Sequence, residues 1–233
     1  MIRKLLFLFF FFLGISIISI IFLPSLLMSI KVVLFGGKMM GRWTALCLKS
    51  FLQTKIIVKG EDNIIRNDKF FIACSHQSMF ETFYLQTIFN SPIFILKHEL
   101  IKIPIFGWYL KKIGSVSINR NKISKDNLGL IDKIKNSVKI SQRPLIIFPQ
   151  GTRVLPNEIV PFKKGVGRIY DELKIKCQPV AINSGNVWPK NGKLTSKQTI
   201  IVSILPAIKP GMSSVDFTSH IEDKIYNELK LMN

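Results

Sequence analysis

The sequence predicts an α/β protein: a mostly parallel central sheet of about seven strands flanked by helices, preceded by an N-terminal membrane helix or helical hairpin. Three observations carry this reading. The chain has no charged residue from Leu5 to Ile30. After Lys55 the pattern changes to short apolar runs separated by helical stretches, as in βα units. Several of those runs are apolar throughout rather than alternating, which suits strands covered on both faces.

The N-terminal run is flanked by Arg3 and Lys4 before and by Lys31 after. As a helix it would be about 39 Å long at 1.5 Å per residue, against a hydrocarbon core of roughly 30 Å. A secretory signal has a shorter apolar region and a small-residue cleavage site, so cleavage is not expected. Pro24 divides the run and leaves Leu5 to Leu23 as its stronger part. The remainder, with Val32 to Phe35 and the mixed stretch Trp43 to Phe51, reads as a second helix returning along the membrane surface. A single span and a hairpin in one leaflet are both open. Lys31, Lys38, Arg42, Lys49 and Lys55 outnumber the basic residues ahead of the run, so the remainder is expected to face the cytoplasm. The expected division is an anchoring segment over residues 1–52 and an α/β domain over residues 53–233.

Beyond it, the expected strands are Ile56 to Val58, Phe70 to Cys74, Ile93 to Leu96, Val116 to Ile118, Leu145 to Phe148, Val180 to Ile182 and Ile200 to Leu205. A helix follows His76 through Thr82 and Phe89. Another begins near Asp126 and places Leu130, Ile131, Ile134 and Val138 on one face. The last starts at Ser213-Ser-Val-Asp216, a capping box, and carries Phe217, Ile221, Ile225 and Leu229 down one stripe.

Composition bounds the partners. At 233 residues there is room for one α/β domain and a membrane segment but not for a second full domain. Thirty-three Lys and Arg against fourteen Asp and Glu give a net charge of +19, pointing to a polyanionic partner such as anionic lipid, phosphorylated substrate, acyl carrier protein or nucleic acid. Part of that excess is what an AT-rich coding sequence, heavy in Lys, Ile, Asn and Phe, would produce. Cys47, Cys74 and Cys177 have neither the number nor the spacing of a disulfide framework or a zinc site. Cys74 closes a strand-like run and reads as a buried small residue rather than a nucleophile.

The chemistry is concentrated in short words. His76-Gln-Ser-Met-Phe-Glu81 places a histidine and a carboxylate five apart, where a loop enters a helix. There the acid can fold back to hold one imidazole nitrogen and leave the other as a general base. Phe148-Pro-Gln-Gly-Thr-Arg153 is a small-residue turn ending in a cation, which lets a phosphate approach the backbone. Between them lies Gly114-Ser-Val-Ser-Ile-Asn-Arg120.

In order and spacing these words resemble the glycerolipid acyltransferase family, which includes the bacterial 1-acyl-glycerol-3-phosphate acyltransferases. The resemblance covers roughly Phe51 to Leu205. It takes in Pro161-Phe-Lys-Lys-Gly165, the apolar block Gln178-Pro-Val-Ala-Ile-Asn183 and the joining segment Ile95 to Trp108. Two positions depart from the family pattern: Glu81 stands for its aspartate and Gln150 for its glutamate. The resemblance implies a membrane acyltransferase of phospholipid biosynthesis that moves a fatty acyl group from acyl-CoA or acyl carrier protein to the sn-2 hydroxyl of lysophosphatidic acid, giving phosphatidic acid. Its setting would be a bacterial cell membrane, its other partners membrane lipids, and it would use no metal or cofactor. It further implies that His76 removes the hydroxyl proton and Glu81 supports the imidazolium. Lys97, Arg120, Gln150, Gly151, Thr152 and Arg153 would serve the phosphate-bearing acceptor. His98 and His220 read as ordinary residues, and Phe71, Phe80, Ile105 and Phe106 as acyl-groove or core. Alternatives are another lysolipid or amino-lipid acceptor, and a non-catalytic lipid-binding membrane protein on the same fold. A nucleic-acid partner is not expected, since no aromatic-basic recognition module accompanies the charge.

Overall fold

The computed structural model describes residues 2–118 and 129–232. Helix α1, Ile2–Ile21, ends just ahead of Pro24, which opens a 3-10 turn, Leu23–Leu27. The chain then reverses into α2, Ile30–Leu52. The two helices are antiparallel. Arg3 donates to the Gln53 side chain, Phe10 stacks on Phe51, and the Trp43 indole donates to the Phe10 carbonyl at 3.1 Å. The N-terminal segment is therefore a hairpin. A Cβ at Gly14 would fall inside the Trp43 indole, which is what lets the two helices approach so closely. α1 is the one described helix long and apolar enough to cross a membrane.

Seven strands follow: β1 (Lys55–Lys59), β2 (Phe70–Cys74), β3 (Ile93–Lys97), β4 (Val116–Ile118), β5 (Leu145–Ile147), β6 (Lys176–Ile182) and β7 (Thr199–Ile204). They form one sheet in the order β1-β7-β6-β2-β5-β3-β4, parallel except where β6 meets β7. The predicted mostly parallel sheet flanked by helices is what forms. Between the strands run α3 (Phe80–Ile88), α4 (His98–Ile101), α5 (Phe106–Lys112), α6 (Leu130–Ser141) and α7 (Gly165–Leu173), and the chain closes with α8 (Ser214–Met232).

Every residue of β2 is buried, and its alternation splits the core in two. Phe70, Ile72 and Cys74 face a cluster that includes Phe80 and Leu85 of α3 and Cys47, Leu48 and Leu52 of α2. Phe71 and Ala73 face the side covered by α6, α7 and α8. Phe7 and Phe11 of α1 join the first cluster, edge-on to the buried Trp188. At about 1.5–3 kcal/mol for each fully buried apolar side chain, this fastens the base of the hairpin to the sheet domain.

The expected start near Asp126 lies outside the described residues; α6 runs from Leu130 with Gly129 at its N-cap, and Ile131, Ile134 and Val138 are buried on one face with Leu130 half-buried beside them. The Ser213 cap forms too: the Asp216 backbone N–H donates to Ser213 Oγ, which donates to the Asp216 carboxylate. Two helical segments lie outside the sequence expectations, α4–α5 and α7. The former is broken by Pro104, and α7 carries Gly165 and Gly167, poor helix formers. Gly167 is there for contact, since a Cβ would sit 2.2 Å from the Ser214 carbonyl oxygen of α8.

Candidate active site

Because β6, β2, β5 and β3 are parallel neighbours, their C-terminal ends lie on one edge of the sheet. Register levels them further: Ala73 of β2 pairs with Ile147 of β5 and with Pro179 of β6. This is the edge at which open α/β sheets bind ligands. His76 and Glu81 follow β2, Phe148 to Arg153 follow β5, Ser184 follows β6, and Lys97 ends β3. Lys97 is two strands from β2, about 10 Å at the usual strand spacing.

The loop after β2 is held rigidly. Ser75 Oγ exchanges hydrogen bonds with the Ile182 backbone, donating to its carbonyl and accepting from its N–H at 2.8 Å. Ser78 Oγ accepts from the Phe80 N–H at the start of α3. Glu81, in the first turn of α3, is fully buried. Its Oε1 accepts from the backbone N–H of Gln77 (3.0 Å) and Ser78 (3.1 Å) and from the Ser184 hydroxyl (2.5 Å). Its Oε2 accepts a second, forked bond from the Ser78 N–H and faces His76 Nδ1 at 3.7 Å. The buried carboxylate is thus compensated by donors and by the N-terminal end of a helix rather than by a fixed cation. The longer reach of glutamate lets it fold back onto the loop that precedes its own helix.

His76 is the more accessible member of the pair, at 16% against 0% for Glu81. Phe148 stacks on its imidazole, with centroids 4.0 Å apart and planes 18° apart. Its backbone is clamped as well: the His76 N–H donates to Gln150 Oε1 (3.1 Å), and the Val154 N–H donates to the His76 carbonyl (2.9 Å). With Nδ1 turned to Glu81 and the ring plane fixed by Phe148, Nε2 is the nitrogen left for a substrate proton. An imidazole so held can act as a general base.

Gln150 is fully buried and serves as an acceptor for the loop backbone, a task that needs an oxygen but not a charge. Gly151 takes φ 73°, the left-handed value the turn requires. Thr152 is exposed and Arg153 half-buried. Beyond them α8 pins the chain, with the Phe162 N–H donating to Glu222 and the Val160 N–H to the Tyr226 hydroxyl. Lys97 is exposed at its strand end, and Arg120 lies outside the described residues. Cys74 is buried, and burial together with the nearby Glu81 charge holds its thiol well above the usual range, so it is no nucleophile. Phe71 and Phe80 are core, while Ile105 and Phe106 are half-buried; His98 and His220 are exposed. Among the described residues no cluster of three metal-ligating side chains occurs.

Sequence reasoning missed Ser184 and the stacking role of Phe148. Phe148 stood inside a recognised word and was assignable to the site by position. Ser184 carries no local signal, since its contact with Glu81 requires β6 to lie beside β2.

The chain is 30% identical to the 1-acyl-sn-glycerol-3-phosphate acyltransferase of Saccharomyces cerevisiae over 216 residues, covering 87% of this chain and 70% of that protein. It is 32% identical to the Helicobacter pylori enzyme of that name, covering 67% of each, and 32% identical to the Pseudomonas aeruginosa one, covering 65% of this chain and 58% of that protein. The fold superposes on the crystal structure of the 1-acyl-sn-glycerophosphate (LPA) acyltransferase PlsC from Thermotoga maritima with a TM-score of 0.80 at 21% identity, covering 100% of this chain and 98% of that one. The family model named Acyltransferase matches residues 55–183, a span that holds His76, Glu81, the glycine turn and the block before Ser184, and the chain belongs to the acyltransferase family.

Proposed function

We propose that this enzyme transfers a fatty acyl group from a thioester, acyl-CoA or acyl carrier protein, to the sn-2 hydroxyl of 1-acyl-sn-glycerol 3-phosphate, giving phosphatidic acid. The observation that carries the mechanism is the His76–Glu81 pair, with its carboxylate buried and anchored from several sides and its imidazole fixed against Phe148. His76 Nε2 takes the proton from the acceptor hydroxyl as the oxygen attacks the thioester carbonyl. Glu81, 3.7 Å from Nδ1, stabilises electrostatically the imidazolium that forms. When the tetrahedral intermediate collapses, the C–S bond breaks and the proton passes from His76 to the departing thiolate. No enzyme-bound acyl group is needed.

Arg153, on the turn after β5, and Lys97, at the end of β3, are the cations that hold the acceptor phosphate, together with Arg120. Gly151 and Thr152 shape the turn that approaches it, and Gln150 keeps that turn in register with His76. The names and coverage of the relatives support this acceptor. The hairpin seats the enzyme in one leaflet of a bacterial cell membrane, with the sheet domain on the cytoplasmic side. The packing of Phe7 and Phe11 on Trp188 supports this over a full span, because a crossing α1 would draw the sheet domain in with it.

The test is an assay of membranes containing the purified protein with a panel of lysolipids and both thioester donors. Turnover confined to the phosphate-bearing acceptor is expected. Turnover on neutral lysolipids alone would overturn the acceptor assignment, and none with any pair would reduce the protein to a lipid binder.

A further inference from the structure

We propose that the segment from Lys97 to Lys112 is a second membrane-contact surface, through which the sheet domain itself seats on an anionic lipid headgroup layer beside the hairpin. The proposal rests on the membrane reading of α1 and α2 given above.

Leu100, Ile103 and Trp108 point into solvent, at 37%, 45% and 50% exposure, although each is apolar. Exposed Lys102, Lys111 and Lys112 border them. On α5, Lys111 and Lys112 stand three and four residues after Trp108 and share its face, while Tyr109 and Leu110 are buried behind. A tryptophan and short aliphatic tips with a lysine rim match the headgroup zone, where the rings sit at the boundary and the ammonium groups reach the phosphates.

Position makes this patch continuous with the hairpin. The Tyr109 hydroxyl donates to the Ser19 carbonyl of α1 at 2.6 Å, and α5 packs against α2 and the Leu23–Leu27 turn. That end of the hairpin exposes Ile20, Ile21 and Leu27, the last at 94%. Between Ile103 and Trp108 the backbone is strained. Ile105 adopts φ 63° and ψ −59°, and the Phe106 N–H donates to the Pro104 carbonyl at 2.6 Å, a γ-turn that a β-branched residue avoids. Strain of this kind persists where the arrangement it produces is used.

Charge chooses the occupant. Glu99 is the segment's one acid, against Lys97, Lys102, Lys111 and Lys112, in a chain of net charge +19. An anionic leaflet draws such a segment in through its lysines, which sit near the surface. Lys97 begins the segment, so docking would hold that cation at headgroup depth, and a phosphate-bearing lysolipid would reach it by lateral diffusion without leaving the leaflet.

The experiment uses the full chain in vesicles of phosphatidylcholine and phosphatidylglycerol. An environment-sensitive fluorophore is placed on Ile103→Cys, on Leu27→Cys and on Lys209→Cys, the native cysteines being buried. Quenching by lipids spin-labelled near the headgroup is then read. Quenching at 27 and 103 but not at 209 is expected. Quenching at 27 alone overturns this proposal and leaves the hairpin reading standing; quenching nowhere overturns both, and quenching at all three overturns the specific contact. In parallel, Ile103→Glu with Trp108→Glu should raise KM for vesicle-borne acceptor about tenfold and leave kcat on a short-chain soluble acceptor unchanged. An unchanged vesicle KM, or an equal loss on the soluble acceptor, would overturn it.

Discussion

The Ser184 hydroxyl donates to Glu81 Oε1 at 2.5 Å, tying the turn after β6 to the first turn of α3. Together with the Gln77 and Ser78 N–H groups it holds the carboxylate so that its other oxygen faces His76. Ser184 should therefore act on catalysis through Glu81. Ser184→Ala is expected to lower kcat about tenfold with little change in either KM, as for a lost charge-assisted hydrogen bond. Ser184→Thr, which keeps the hydroxyl, should restore most of it. Steady-state kinetics on equal amounts of folded protein decide the matter, and a Ser184→Ala enzyme with normal kcat would make the contact structural only.

His76→Ala should lower turnover by about two to four orders of magnitude while leaving expression and membrane association intact, because it removes the proposed base and little packing. A variant within tenfold of the parent would mean that the proton is taken elsewhere.

Glu81→Gln keeps the size of the side chain but removes the charge facing the imidazolium, and should cost turnover about a hundredfold or more. Glu81→Asp keeps the charge with one methylene less reach and should retain much more activity. The order of the two rates is the measurement; Gln outperforming Asp would show that fit, not charge, is what position 81 supplies.

Gln150→Glu should be tolerated, since either side chain offers an oxygen to the His76 N–H. Gln150→Ala leaves that donor buried and unmatched and should lower thermal stability by about 1–3 kcal/mol as well as activity. Thermal unfolding beside turnover separates the two losses.

Arg153→Ala should raise the acceptor KM about tenfold or more with the thioester KM little changed, as expected for a cation reserved for phosphate. Equal damage to both constants would point to packing instead.

Thiol reagents give an independent check. Burial raises the Cys74 and Cys177 thiols well above their usual range, so the reactive thiolate is scarce at neutral pH. N-ethylmaleimide at pH 7 should leave activity intact in the folded enzyme, and mass spectrometry should find adducts only after denaturation. Rapid inactivation with modification at Cys74 would restore a thiol to the chemistry.

By itself the sequence determined the strands, the longer helices and the chemical vocabulary of this protein. The strands were legible because both-face burial writes continuous apolar runs, the N-terminal apolar segment because it is uncharged and divided at Pro24, and His76, Glu81 and the glycine turn because their residue types and spacing are local facts. That the N-terminal segment folds back as a hairpin was decided by the tertiary structure. The short helices α4 and α5, interrupted by Pro104, were not legible, and α7 was obscured by Gly165 and Gly167 although Val166, Ile169, Tyr170 and Leu173 fall at helical spacing. Only the tertiary structure decided that the strand order brings β6, β2, β5 and β3 together, so that Phe148 stacks on His76 and Ser184 reaches a carboxylate 103 residues away in the chain. It also decided that the hairpin shares a core with the sheet through Phe7, Phe11 and Trp188. The physical reason is the same throughout: periodicity records which face of an element is buried, but not which partner buries it.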